Sequence, residues 1–229
     1  MKFEDALTQY VDNNIGRLEE KYKWKIPLKL PIEVKFSNEN RFHKNITLRK
    51  ALHDGWKTAT QEQRREIIEW YISDWGGVRT NSEEKLKFYA SSTPEQLIEW
   101  KAAGIASWSK ALSVVDPSRF AIFDARVSSA INSIQIIQNV SNPRYFPDLP
   151  SRNNKIVSAT AIAKSTVKKK WESASKETFY QEYNTLLGDI AANIGRGATL
   201  QTVEMVLFAF AEDLADEASL KLAIKNLRN

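Results

Sequence analysis

Residues 94–131 read PEQLIEWKAAGIASWSKALSVVDPSRFAIFDARVSSAI and predict two short helices that meet at a glycine. Thr93 is a typical N-cap residue and is followed by proline, which predicts a helix over Pro94–Ala102. Gly104 interrupts the helical pattern, which resumes over Ser107–Val115. We therefore expect a helical hairpin in this part of the chain.

The hairpin turn is Gly104-Ile105-Ala106-Ser107. A glycine followed by isoleucine and a small residue allows a sharp reversal and leaves successive backbone N–H groups exposed at the start of the next helix, where they can bind a phosphate oxygen. Such a turn holds a nucleic-acid backbone without selecting a base sequence. These four residues are the candidate backbone-binding residues.

Asp124 comes some 20 residues after the glycine, directly behind the apolar run Phe120–Phe123, and begins another predicted helix. A carboxylate at a helix N-terminus interacts favourably with the helix dipole. Two interpretations stay open: Asp124 is a catalytic carboxylate, or it is an ordinary N-cap residue.

The rest of the chain predicts an all-α fold of about ten helices with a short extended N-terminal arm. We expect one helical domain over residues 1–229, in which residues 1–45 form an N-terminal helix and the arm. In the arm, Trp24–Phe36, apolar residues alternate with others and two prolines oppose helix formation. The other predicted helices are Phe3–Tyr22, Ile46–Ala59, Thr60–Trp75, Ser82–Ala90, Asp124–Gln138, Asn154–Trp171, Lys176–Ile194 and Thr199–Arg228, and a division of the last near Asp216 stays open.

The composition excludes several classes of site. The chain of 229 residues has no cysteine, which excludes disulfides, thiol nucleophiles and cysteine-ligated metals. His43 and His53 match no metal-binding spacing, so we expect no metal. No apolar run has the length of a membrane span, and the first residues lack the apolar core of a signal peptide. We expect a cytoplasmic monomer without a membrane partner.

Residues 94–131 resemble the helix-hairpin-helix DNA glycosylases, whose hairpin is followed by an aspartate after a short hydrophobic run. The sequence Phe120-Ala121-Ile122-Phe123-Asp124 is most similar to the 8-oxoguanine DNA glycosylase branch and its small bacterial relatives. The segments Trp70–Gly77 and Phe146–Asn153 also resemble parts of those relatives. The resemblance implies a helix-hairpin-helix bundle that binds double-stranded DNA and excises a damaged or modified base, without a cofactor, in base excision repair at the nucleoid.

The hairpin departs from the family pattern at three places. The leucine and proline before the glycine are Ala102 and Ala103 here, and the second glycine is Ala106. The position of the lysine in members with lyase activity is Trp108, while Lys110 lies two residues further on, roughly 200° around the helix. The resemblance therefore favours a monofunctional enzyme in which Asp124 assists the attack of water. Schiff-base chemistry through Lys110 is the alternative.

A glycosylase extrudes its target nucleotide and holds the base between flat side chains. The candidates for a base pocket or a wedge are Trp56, Trp75, Trp108 and Asp74, together with Phe146, Arg152 and Asn153 in the long loop 139–153. For each tryptophan the alternative is ordinary core packing, and for the loop it is a proline-stiffened segment that packs Tyr145 and Phe146 on the core.

The net charge of +5 fits nucleic-acid binding without proving it. Two basic clusters are candidates for contact with phosphates: Arg41, Lys44, Arg49 and Lys50, and Lys155, Lys164, Lys168, Lys169 and Lys170. The identity of the base stays open among 8-oxoguanine, an alkylated purine and a hypermodified phage base. Two other functions also remain: a noncatalytic helix-hairpin-helix DNA-binding protein, and a helical interaction protein such as a component of a bacterial defence system.

Overall fold

The computed structural model describes residues 1–37 and 40–227. This part of the chain contains ten α-helices of five or more residues and one two-stranded sheet, which confirms the all-α class. None of the helices in these residues combines the length and the apolar character needed to cross a membrane.

The helices lie close to the predicted positions, with some shifted ends. Their bounds are α1 Phe3–Asn14, α2 Leu18–Lys21, α3 Arg41–Thr58, α4 Gln61–Trp70, α5 Glu83–Ser91, α6 Pro94–Ile98, α7 Ile105–Val115, α8 Ala125–Gln138, α9 Asn154–Thr166, α10 Phe179–Ile194 and α11 Leu200–Leu227. A 3-10 turn, Ile15–Arg17, separates α1 from α2, and a π-helical segment, Tyr71–Trp75, extends α4.

Short-range hydrogen bonds explain several helix starts. Thr60 and Gln63 form a capping box at α4, and Thr93 and Gln96 form one at α6. Helix α3 begins at Arg41 and not at Ile46 as predicted, because the Asn40 side chain accepts a hydrogen bond of 3.1 Å from the backbone N–H of His43.

Two predicted helix ends are wrong. The helix predicted to reach Ala102 ends at Ile98, and the one predicted to reach Trp171 ends at Thr166. After α9 the chain forms strand β2, Glu172–Ser173, which pairs in parallel with strand β1, Arg144–Tyr145. Helix α11 continues through Asp216 without a division, and the predicted end at Arg228 lies outside the described residues.

The N-terminal arm has neither helix nor strand over residues 22–37, as its prolines predict. Its alternating apolar residues Ile26, Leu30 and Ile32 are half-buried. Leu28 belongs to the same series, but its side chain extends fully into solvent. The alternating apolar residues of the arm are therefore half-buried except at Leu28.

The chain divides into two compact units. The first unit is Met1–Arg17 with Phe123–Asn229, and the second unit is Leu18–Ile122. One domain over residues 1–229 stays a prediction, and the boundary between the two units, after Ile122, falls inside the segment 94–131. Each unit has its own buried apolar residues.

Helix α7 lies at the centre of the second unit, where it contacts α3, α4, α5 and the π-helical segment. Nine of its eleven residues are buried. His53 of α3 forms a hydrogen bond of 2.8 Å with the backbone oxygen of Val114, which fixes the C-terminal end of α7.

Helices α8 and α11 pack along each other at the centre of the first unit, and α1, α9 and α10 surround them. Polar side chains of α8 hold the long loop in place. Asn132 bonds to both the N–H and the C=O of Phe146, and Gln135 does the same for Arg144. Side chains of α8 thus supply the hydrogen bonds that the backbone N–H and C=O groups of these loop residues need.

Candidate functional site

The hairpin between α6 and α7 depends on a left-handed glycine. Gly104 is the N-cap of α7 with φ 68° and ψ 11°, and Lys101 earlier in the turn also has a positive φ of 55°. Because a side chain is strained in this conformation, glycine suits position 104. The carbonyl of Gly104 accepts bonds from the N–H groups of Ser107 and Trp108, which start the helix.

The turn presents free backbone donors. Residues 101–104 are exposed, and within the described part of the chain the N–H groups of Gly104 and Ala106 have no backbone acceptor. Ile105 and Ser107 point inward and are buried, and the Ser107 hydroxyl accepts a bond of 2.9 Å from Asn81. Two N–H groups without an acceptor at a helix N-terminus match the donors that a phosphate oxygen needs.

The side chain of Tyr89 packs against Gly104 in the hairpin turn. Its side chain is 1% exposed, and a Cβ atom placed on Gly104 would lie 2.6 Å from its hydroxyl oxygen. Burial raises the pKa of the Tyr89 hydroxyl. The hydroxyl has no hydrogen-bond partner among the described residues. The periodicity of α5 gives no sign of this contact, because it joins two separate helical segments.

We expect Gly104→Ala to lower the free energy of unfolding, because the left-handed backbone alone costs a side chain about 1–2 kcal/mol. The contact with Tyr89 adds to this cost. Gly188→Ala is the matched control: position 188 lies in α10 with no atom within 4 Å, and alanine there is expected to stabilise by about 0.5–1 kcal/mol. Urea denaturation measures both changes. Equal effects at the two positions would contradict this account of the turn.

Trp108 lies in the interior and does not protrude. It is 0% exposed, and its indole N–H donates to the carbonyl of Ala103 at 2.9 Å, which closes the hairpin turn. Its interpretation as a wedge or a pocket wall does not fit this burial. Core packing, the alternative given above, describes its position.

Lys110 is also buried, with 3% of its surface exposed. Its ammonium group donates to the carbonyl of Ala106, one turn earlier in α7. Its methylene groups pack so closely on Gly76 that a Cβ atom there would lie 2.5 Å from the Lys110 Cε. Helix α7 therefore contacts the end of the π-helical segment through Lys110.

The π-helical segment contains two further candidates, which have different surroundings. Asp74 is exposed, whereas Trp75 is 4% exposed, stacks on Tyr71 and donates to Asn45 at 2.8 Å. Trp75 is thus a core residue and not a protruding one. Segments of π-helix are frequent at functional sites, and periodicity alone did not predict this one.

Asp124 is the N-cap of α8, as predicted. Its Oδ1 atom accepts bonds from the N–H groups of Arg126 at 2.9 Å and Val127 at 3.1 Å. The side chain is half-buried, and within the described residues Oδ2 accepts no hydrogen bond. One oxygen therefore holds the helix, while the other stays available. The apolar run before it, Phe120–Phe123, is buried.

Helix α11 contributes further polar and aromatic groups on the first unit, around the start of α8. Arg126 pairs with Glu212 at 2.7 Å, and its guanidinium lies 5.2 Å from the centre of the Phe208 ring. Glu212 also accepts a bond of 2.9 Å from the Asn153 amide. Phe208 and Glu212 could not be predicted from the sequence, since α11 has no motif that marks them.

The remaining pocket candidates divide between core and surface. Phe146 is 2% exposed and contacts Phe3 and Phe123, so it belongs to the core. This agrees with the alternative interpretation, in which a proline-stiffened loop packs Phe146 on the core. Asn153 caps α9, and Arg152 is exposed. Trp56 is half-buried beneath the guanidinium of Arg64.

The second basic cluster is partly neutralised by neighbouring carboxylates. Lys164 and Lys168 pair with Asp148, at 3.4 and 2.7 Å, and Lys155 pairs with Asp216. The hydrogen bond to Asp216 raises the pKa of Lys155. Three of the five lysines are therefore already paired, which weakens the case for this cluster as a phosphate-binding face.

No group of three or more histidine, aspartate or glutamate side chains in the described residues is placed to hold a metal ion. His43 lies 2.8 Å from Glu19, and His53 is bonded to Val114.

Comparisons with known proteins gave no relative for this chain: no protein-family model matches the sequence, and neither a curated protein nor a solved structure matches it.

Proposed function

We propose that this protein is a helix-hairpin-helix DNA glycosylase that extrudes a damaged or modified base and hydrolyses its N-glycosidic bond. The observation that carries the proposal is the Asp124 carboxylate, which is fixed by Oδ1 at the start of α8 and, among the described residues, has Oδ2 without a donor. The hairpin supports it, because the N–H groups of Gly104 and Ala106 are suited to a DNA phosphate.

Breaking an N-glycosidic bond builds positive charge on the deoxyribose. A fixed carboxylate stabilises this oxocarbenium-like transition state more than the ground state, which accelerates the reaction. The hydrogen bonds from Arg126 and Val127 hold Asp124 in one orientation, so little reorganisation is needed as the charge develops. Its second oxygen orients a water molecule for attack at C1′.

Monofunctional chemistry is the version that we propose. The Lys110 ammonium group is buried and donates to the carbonyl of Ala106, so it is engaged within its own helix. A lysine nucleophile has to reach C1′ of the sugar as a neutral amine. Reaction through Lys110 would require the side chain to leave this position.

The test is incubation of the protein with DNA duplexes that each carry one modified base: 8-oxoguanine, an alkylated purine or a hypermodified phage base. We expect release of a free base from at least one duplex, leaving an alkali-labile site but no adduct after borohydride reduction. An adduct that disappears in Lys110→Met but persists in Lys170→Met would establish the lyase mechanism in place of hydrolysis. DNA binding without release of any base would support the noncatalytic DNA-binding protein.

A further inference from the structure

The proposed function requires a side chain that fills the gap left by an extruded nucleotide, and the following inference rests on that function. Apolar side chains such as leucine, phenylalanine and isoleucine insert between bases in this way. Trp75, Trp108 and Phe146 are unsuited to it, because each is at most 4% exposed. A wedge of this kind needs an apolar side chain that is more exposed than these three.

Leu28 stands out in the second unit, because its side chain is 104% exposed. It belongs to the alternating apolar series of the arm, in which Ile26, Leu30 and Ile32 are half-buried. The backbone bends at Leu28 and Lys29. An apolar side chain held fully in water has an unfavourable hydration free energy that burial in a base stack would remove.

The bend is fixed on both sides. Before it, the indole N–H of Trp24 donates to the carbonyl of Trp75 at 2.9 Å. After it, the indole N–H of Trp70 donates to the carbonyl of Lys29 at 2.7 Å. Two prolines, at positions 27 and 31, further restrict the backbone. Leu28 is thus presented by a rigid segment, which lowers the entropy cost of inserting it into DNA.

The charge of the arm fits a DNA partner. Residues 23–36 contain four lysines and one glutamate, and exposed Lys25 and Lys29 lie on either side of Leu28. Lysines beside an inserted side chain can neutralise the phosphates of the strand. Within the second unit, the arm is also linked to α7 by two contacts. The indole N–H of Trp24 donates to the carbonyl of Trp75, and the next residue, Gly76, packs on Lys110 of α7.

We propose that Leu28 is the wedge that enters the DNA base stack when the target nucleotide is extruded, with Lys25 and Lys29 binding the flanking phosphates. The partner is duplex DNA with one unstacked position. A protein surface as the partner of Leu28 is a competing outcome, which the experiment below distinguishes.

The absence of cysteine makes a site-specific test simple. Leu28→Cys is labelled with an environment-sensitive fluorophore, and Leu220→Cys, at another exposed leucine in the first unit, is the control. We expect duplex DNA to shift the emission of the label at position 28 and to leave that at position 220 unchanged. Extrusion by Leu28→Ala and by Leu220→Ala is compared through the fluorescence of a 2-aminopurine placed beside the modified base in the duplex.

We expect Leu28→Ala to reduce extrusion and base release about tenfold while duplex affinity changes little. If the native chain extrudes and releases the base and Leu28→Ala does so equally well, the wedge is refuted and the glycosylase stands. If the native chain binds no DNA, both proposals fail. A label at position 28 that responds only to an added protein also refutes the wedge.

Discussion

Asp124→Asn is expected to bind duplex DNA like the native chain and to release the base about a hundredfold to a thousandfold more slowly, the range found when one electrostatic contact to a transition state is removed. The amide keeps an oxygen that can accept the bonds from Arg126 and Val127. Asparagine is also as good an N-cap as aspartate, so the fold should be preserved. What is lost is the negative charge that the proposed mechanism places at the sugar.

The rate is measured as base released from the best duplex under single-turnover conditions. Asp116→Asn is the control, because the Asp116 carboxylate accepts bonds from the N–H and the hydroxyl of Ser118 and pairs with Arg119 at 4.0 Å, all within one turn. We expect its rate to stay near that of the native chain. A normal rate for Asp124→Asn would leave Asp124 as a helix cap and remove the main support for catalysis.

Trp108→Ala is expected to lower the free energy of unfolding by about 3–5 kcal/mol, the usual cost of truncating a buried large aromatic residue. The substitution leaves a cavity beneath the hairpin and removes the bond from the indole N–H to Ala103. This loss is a large share of the stability of a typical domain. Any loss of activity should therefore follow the unfolded fraction.

Urea denaturation followed by circular dichroism measures the effect. Trp56→Ala, at a half-buried residue near the end of α3, is the control and is expected to cost much less. If Trp108→Ala were as stable as the native chain and lost only base extrusion, the wedge interpretation of Trp108 would be restored and that of Leu28 weakened.

Local chemistry made many of the predicted elements accurate. The capping boxes at Thr60 and Thr93 and the N-cap at Asp124 form as expected, because each depends on groups within three residues of one another. The prolines of the arm likewise keep it from forming a helix. The parallel pairing of Arg144–Tyr145 with Glu172–Ser173 escaped prediction, since the two strands are far apart in the chain and too short to show a pattern.

By itself the sequence determined the helical class, the glycine turn and the position of Asp124 at the start of a helix, since the forces that fix these act between neighbouring residues. Tertiary structure alone decided that Trp108 and Lys110 are buried and that Leu28 is exposed. Each of these depends on contacts between distant segments, such as Trp24 with Trp75 and Lys110 with Gly76. Burial is a property of the packed chain, and helical periodicity specifies which residues share a face without specifying what covers it.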